Sequence, residues 1–176
     1  LSGVDAGNYT VNTTATTTAD VTQLAITGSV TAPSKVYDTT TAATIGSRAL
    51  SGVIAGDSVT YVGGSATFAD KNAGVGKTVT ATGLGLAGGD AANYTVNGTA
   101  ITTADIDPLG IIGSVTAASK IYDGVAAAAL LTRTLSGVLG GDDVSYAGGT
   151  AAFADKSVGV GKTVTATGLA LGGADA

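Results

Sequence analysis

The chain overlays on itself. At an offset of 85, residues 1–91 align with residues 86–176 without a gap, and 59 of the 91 positions are identical. Self-similarity at a fixed period means tandem copies of one structural unit, so any fold available to one copy must be available to the other. The block Gly74-Val75-Gly76-Lys77-Thr78-Val79-Thr80-Ala81-Thr82-Gly83-Leu84 recurs at 159–169, and Ser34-Lys35-Val36-Tyr37-Asp38 recurs as Ser119-Lys120-Ile121-Tyr122-Asp123. Because 176 residues are two periods of 85 plus 6, residues 171–176 stand in the register of residues 1–6. The expected division is residues 1–25 as the closing strands of a preceding repeat, 26–110 as a complete repeat, and 111–176 as a repeat without its last strands.

Within a unit the apolar pattern has period two. In Thr78-Val79-Thr80-Ala81-Thr82 the threonines share one face and Val79 and Ala81 the other, the alternation of a half-buried strand. Similar runs at 26–30, 58–62, 66–69, 93–96 and 100–106 are separated by Gly-Gly, Gly-Asp and Asp-Lys signals that read as turns. One segment conflicts. Val125-Ala126-Ala127-Ala128-Ala129-Leu130-Leu131 favours a helix, whereas its counterpart Thr40-Thr41-Ala42-Ala43-Thr44-Ile45-Gly46 is β-branched and ends in glycine. Copies this similar should share one conformation, so both are expected to be extended. The expected fold class is all-β: antiparallel, β-sandwich-like repeats of 85 residues arranged end to end.

Composition limits both core and chemistry. Leu, Ile, Val and Phe total only 40 residues, while Ala, Thr and Gly number 32, 29 and 28. With no Trp, Tyr37, Tyr61, Phe68 and Tyr94, together with their shifted partners, are expected to serve as core rather than as a sugar-stacking platform. His, Cys and Met are also absent, and all 13 acidic residues are Asp. Without His or Cys there is no Ser-His-Asp or Cys-His nucleophile and no ordinary zinc, copper or haem site. The chain is therefore expected not to be an enzyme and to have no catalytic, cofactor-binding or metal residues. A net charge of −5 with no basic cluster argues against nucleic acid, and no apolar run is long enough to span a bilayer.

The succession Lys35-Val36-Tyr37-Asp38, then Leu50-Ser51-Gly52-Val53 with Gly56-Asp57, then Ala66-Thr67-Phe68-Ala69-Asp70-Lys71-Asn72-Ala73-Gly74, resembles the YDG-type repeat. The continuation from Lys77 to Gly83 and on to Asn93-Tyr94 resembles the closing strands of that repeat. The resemblance covers the whole chain. It implies the setting in which such repeats occur, namely very large secreted bacterial adhesins resembling filamentous haemagglutinins, where they act as stalk or spacer at the cell surface. The residues expected to carry the structural motif are Lys35, Tyr37, Asp38, Phe68, Lys77, Tyr94, Lys120, Tyr122, Asp123, Gly124, Phe153 and Lys162. The name-giving Tyr-Asp-Gly is intact only at Tyr122-Asp123-Gly124; the other copy reads Tyr37-Asp38-Thr39. A type I′ turn would want glycine there, so the Asp is expected to cap a looser Asx turn.

Sharper readings of single motifs are weaker. Gly74-Val75-Gly76-Lys77-Thr78 looks like the end of a phosphate-binding loop, but Lys71 stands where its first glycine belongs and a strand pattern follows instead of a helix. Gly56-Asp57, Gly89-Asp90 and Gly141-Asp142-Asp143 offer oxygen ligands to calcium without a recognisable spacing, and Asp beside Gly is an ordinary turn former. An intramolecular Lys–Asn cross-link among Lys71, Lys77, Asn72 and Asn93 is conceivable, although a lysine in a polar turn is ordinarily solvated. Thr78, Thr80 and Thr82 could present hydroxyls to a glycan or an ice-like surface, which makes an adhesion module the alternative to a stalk. The expected partners are neighbouring repeats, held by the short linker Asp107-Pro108-Leu109-Gly110. Residues 1–25 could also complete the last repeat of another copy by β-strand addition.

Overall fold

The alternation at 78–82 settles which face of the central strand is buried: Val79 and Ala81 are fully covered, and the threonines point away from them. The computed structural model describes residues 2–176. In its first unit the strands are β1 (Leu24–Ala25), β2 (Thr27–Thr31), β3 (Lys35–Val36), β4 (Ala42–Ala43), β5 (Ser47–Ser51), β6 (Thr60–Phe68), β7 (Gly74–Ala87), β8 (Tyr94–Thr95) and β9 (Thr99–Asp107). The second unit has β10 (Ile112–Ala117), β11 (Ala127–Ala128), β12 (Leu130–Ser136), β13 (Ser145–Phe153) and β14 (Val164–Gly172). Two three-residue 3-10 turns, Ala6–Asn8 and Ala91–Asn93, lie one period apart. The chain is all-β.

Each unit is layered. In the first, a five-stranded sheet of order β3-β9-β7-β6-β4 is packed on one face by the antiparallel pair β2-β5. Between them Val30 meets Phe68, Val79, Ala81, Ala100, Ala104 and Ile106 in one hydrophobic cluster. The layers approach closely because Gly28 has no side chain: a Cβ there would overlap the Tyr61 ring, and Gly113 stands to Tyr146 in the same way. Asn97 fastens the two layers together. Its side-chain oxygen accepts the Gly28 N–H at 2.7 Å and its amide donates to the Gly28 carbonyl at 3.0 Å, while the Tyr61 hydroxyl donates to the Asn97 backbone carbonyl at 2.8 Å.

Three expectations need correction. First, Gly63-Gly64, read as a turn between two short runs, lies inside one strand. β6 runs through it, with Gly64 opposite Gly83 and both at positive φ, between the pairs Gly63↔Leu84 and Ser65↔Thr82. The glycines kink the ladder rather than end it, and a Cβ on Gly64 would come within 2.6 Å of Leu84. Second, the pairing is not purely antiparallel: β1-β8 and β3-β9 are parallel, and in the latter case β9 lies between two strands of opposite sense, antiparallel to β7 and so parallel to β3. Third, the aromatics do not all enter a core. Tyr61, Phe68 and Tyr94 are buried, Tyr37 is only partly covered, and Tyr9 and Tyr122 are exposed.

The extended reading of Val125–Leu131 holds: β11 and the start of β12 lie within it, in register with β4 and the approach to β5. Among the described residues no helix is long and apolar enough to cross a membrane.

Candidate functional site

Each unit carries three lysines and one arginine at matching offsets, and their contacts define what the polar residues do. Asp38 begins an Asx turn, its carboxylate accepting the Thr40 N–H at 2.9 Å. The Lys35 ammonium donates to that carboxylate at 2.7 Å and to the Thr40 carbonyl at 2.8 Å. It also stands 5.5 Å from the centre of the Phe68 ring, within cation–π range. In the second unit Lys120 donates to Asp123 at 2.8 Å and to the Val125 carbonyl at 2.7 Å, 5.7 Å from Phe153.

The same device closes the β6-β7 connection. Asp70 accepts the Asn72 N–H at 2.9 Å, and Lys77 donates both to Asp70 and, at 2.7 Å, to the Asn72 carbonyl. Asp155, Ser157 and Lys162 repeat it. All four turns thus share one geometry: an Asp takes the N–H two residues on, and a lysine bridges the Asp and the carbonyl of that later residue. The lysine supplies a donor where the turn would leave a carbonyl unpaired.

The electrostatics follow from the contacts. The Lys35 hydrogen bond, reinforced by the Thr40 amide and hydroxyl, lowers the Asp38 carboxyl from an ordinary 3.8 to about 2. Lys77, Lys120 and Lys162, followed in each case by the turn amide, push Asp70, Asp123 and Asp155 down as well. Of these lysines, Lys77 was expected, as a lysine in a polar turn, to be solvated. Instead the Lys77 and Lys35 side chains are only 13% and 18% exposed, because their stems lie against the sheet while their heads bind the turns.

The remaining cations also bind backbone or bridge units. Arg48 donates twice to the Gly63 carbonyl, at 3.0 and 2.7 Å, and Arg133 donates to Gly148 at 2.7 Å, so each arginine supports the kinked strand. The Tyr37 hydroxyl reaches across to the second unit and donates to both oxygens of Asp142 at 3.0 Å. Lys71, 5.9 Å from the centre of the Tyr37 ring, donates to Asp142 at 3.4 Å and lies 3.9 Å from Asp175. Tyr37 first and Asp142 second hold the Lys71 ammonium above the ordinary lysine range. The Asp142 side chain is only 7% exposed, so this joint is partly desolvated. A cleft of about 560 Å³ beside it is lined by Tyr37, Pro108, Leu109, Leu139 and Leu171.

Among the twelve motif residues predicted from sequence, the structure brings Lys35, Asp38 and Phe68 together, and likewise Lys120, Asp123 and Phe153. Lys77 and Lys162 belong to the second kind of clamp, and neither heads a helix, so the phosphate-loop reading fails. Tyr37 belongs to the joint, and Tyr94 donates to Asp57, which pushes the Tyr94 phenol up. Gly124 at φ +85° takes the left-handed turn position that Thr39 occupies at φ +68°. Of the joint residues, Lys71 was singled out in the sequence only as a cross-link candidate and Asp142 only as an oxygen ligand for calcium, and Asp175 was not singled out; none was expected to join units. No local signal could have found them, since Asp142 lies 105 residues from Tyr37.

Among the described residues no three carboxylates converge in a way that could hold a metal ion. Lys77 binds Asp70 and the Asn72 carbonyl, and Lys71 binds Asp142, so neither is placed against an asparagine amide for cross-linking.

Comparison with known proteins gives one result. No curated protein and no solved structure matches the chain. The sequence profile of the YDG domain matches residues 17–103 and again 107–176. Two matched copies spanning most of the chain, with the clamped Tyr-Asp turn in each, show that it belongs to the YDG domain family.

Proposed function

We propose that this chain is a spacer: a stalk segment of an extracellular bacterial adhesin or surface fibre, in which repeated units hold an elongated molecule together. The observation that carries the reading is the joint. Proline limits the backbone of a four-residue connection, and consecutive units are tied by charge-assisted hydrogen bonds from Tyr37 and Lys71 to Asp142 and by an ion pair of Lys71 with Asp175. Seven of the eight cationic side chains bind turns, strands or the neighbouring unit, which leaves little chemistry for anything but cohesion. The family resemblance supports the surface setting, and antibody labelling of intact producing cells tests it. Restriction of the label to lysed cells would refute that setting.

The mechanical part is tested by distance measurement. The chain has no cysteine, so spin labels at Thr67→Cys and Ala152→Cys, two exposed and equivalent sites, report on the joint alone. The expected result is a narrow distance distribution that broadens in Tyr37→Phe/Lys71→Ala. A broad distribution without those changes would overturn the spacer reading.

A second reading, an adhesion module for glycan or a flat surface, is supported by one feature. Ser65, Thr67, Thr78, Thr82, Thr99 and Thr103 share the exposed outer face of β6, β7 and β9. Glycan binding lost on Thr82→Lys would favour it.

A further inference from the structure

Asn97 fastens β2 to the five-stranded sheet, and its own backbone neighbour can destroy it. Of the five asparagines, Asn8, Asn12, Asn72, Asn93 and Asn97, only Asn97 precedes a glycine. An asparagine side chain is lost when the next backbone nitrogen attacks its carbonyl carbon, and glycine, with no Cβ to crowd that nitrogen, permits the attack most readily. Asn97 and Gly98 lie exposed in the link between β8 and β9, within reach of water.

Nothing in the fold calls for glycine at position 98. Its φ lies outside the left-handed region, and a Cβ there would meet only the Leu84 carbonyl, at an ordinary 3.6 Å. Gly28 is the contrast, since a Cβ on it would come within 2.3 Å of the Tyr61 ring. One period before Gly98 the chain has Thr13, so the repeat does not reserve this position for glycine. Among the described residues the Gly98 N–H has no backbone acceptor, although the Gly98 carbonyl accepts the Leu84 N–H at 3.1 Å. The side chain it would attack is held fast. The Asn97 amide donates to the Gly28 carbonyl at 3.0 Å, to the Tyr61 hydroxyl at 3.2 Å and to the Thr99 carbonyl at 2.8 Å, while its oxygen accepts the Gly28 N–H at 2.7 Å.

We infer that Asn97-Gly98 is a self-deamidation site protected by this latch, and that its conversion irreversibly releases the β2-β5 layer from the sheet. With the layers together, both ends of the carboxamide are pinned to β2 and β6, and its carbon cannot turn toward the Gly98 nitrogen. When they part, that nitrogen attacks the Asn97 Cγ. A new C–N bond closes a five-membered imide, the old C–N bond breaks, and the amide nitrogen leaves as ammonia with the proton given up by Gly98. Water then opens the imide at either carbonyl, giving Asp, or isoaspartate with the backbone routed through the former side chain. Either product lacks the donor that met the Gly28 and Thr99 carbonyls. An ionised oxygen in its place faces two carbonyl oxygens with no proton to share, so the latch does not re-form. Val30 on β2 then loses its seat against Phe68, Val79 and Ile106.

Ageing of the full chain at neutral pH tests this, with peptide mass spectrometry to locate the change and enzymatic methylation to detect isoaspartate. In urea, where the latch is open, Asn97 is expected to convert from amide to acid while Asn12, followed by Thr13, keeps its amide. Without urea the conversion of Asn97 is expected to be at least about tenfold slower, because it waits for local opening. Tyr61→Phe removes one hydroxyl from the latch and keeps the ring; it is expected to speed the reaction of the folded chain several-fold. Gly98→Ala is expected to slow the reaction with and without urea. In Asn97→Asp, and in the converted fraction of the aged chain, amide exchange is expected to quicken in Thr27–Thr31 and Ser47–Ser51 and to stay slow in β7. No conversion in urea would overturn the site. Equal rates with and without urea, or no change in Tyr61→Phe, would overturn the protection. Unchanged exchange in β2 and β5, or unfolding of the whole unit, would overturn the release.

Discussion

The two units place the same residue types at the same offsets, yet every buried residue of the described chain lies in the first. Phe68, Val79 and Ala81 are enclosed; Phe153, Val164 and Ala166, their counterparts, are half-buried. The units differ in β8 and β9. Where β9 is present, β3 forms and β7 starts at Gly74; where it is absent, Lys120-Ile121 is not a strand and β14 starts only at Val164. A chain this poor in large side chains closes its core through backbone pairing. One strand of small residues therefore decides whether the same aromatics are inside or merely nearby.

The sharpest way to break that comparison is to make equivalent substitutions on either side of it. Ile106→Ala removes the most deeply placed side chain of β9 and is expected to destabilise the protein by about 2–5 kcal/mol. Val21→Ala, one period earlier, is expected to change stability by less than about 0.5 kcal/mol. Urea unfolding of both variants checks the pair, and equal costs would remove β9 from its controlling position.

A smaller effect sharpens the comparison of the turns. Thr39 sits in the left-handed region where the other copy has Gly124. Thr39→Gly is expected to stabilise by roughly 0.5–1 kcal/mol, the conformational relief being partly offset by the freer unfolded chain, and Gly124→Thr to cost about 1–2 kcal/mol. Thermal unfolding reads the opposite signs.

The smallest effect is electrostatic. Asp38 has a folded-state pKa of about 2 against an unfolded 3.8. A depressed carboxyl contributes stability that is fully present above the unfolded value and is lost as pH falls through the folded one, so this contribution disappears between about pH 4 and 2. The group is solvent-exposed, which keeps the effect small. Lys35→Ala is expected to move the Asp38 titration measured by NMR up toward 3.8.

Much of this was legible in the sequence. The period located both units, and the alternation at 78–82 identified the buried face of β7, because strand periodicity is a local property. The Ala run at 125–131 was correctly extended because its β-branched copy outweighed helix propensity. The Asx turn at Asp38 was readable from the Thr that replaces Gly124. What escaped was non-local. Gly63-Gly64 has the composition of a turn, and only the facing Gly83 turns it into a kink within a strand. The lysine clamps join residues three and seven apart around a bend, with no helical or strand period to betray them. The joint needs Asp142 from the other unit, so Tyr37 read as one more core ring.

Amide hydrogen exchange of the monomeric protein, residue by residue, tests most directly the claim that β9 completes the unit. Residues 74–78 are expected to exchange far more slowly than residues 159–163, although the two stretches share Gly-Val-Gly-Lys-Thr. Equal protection of the two stretches would contradict it.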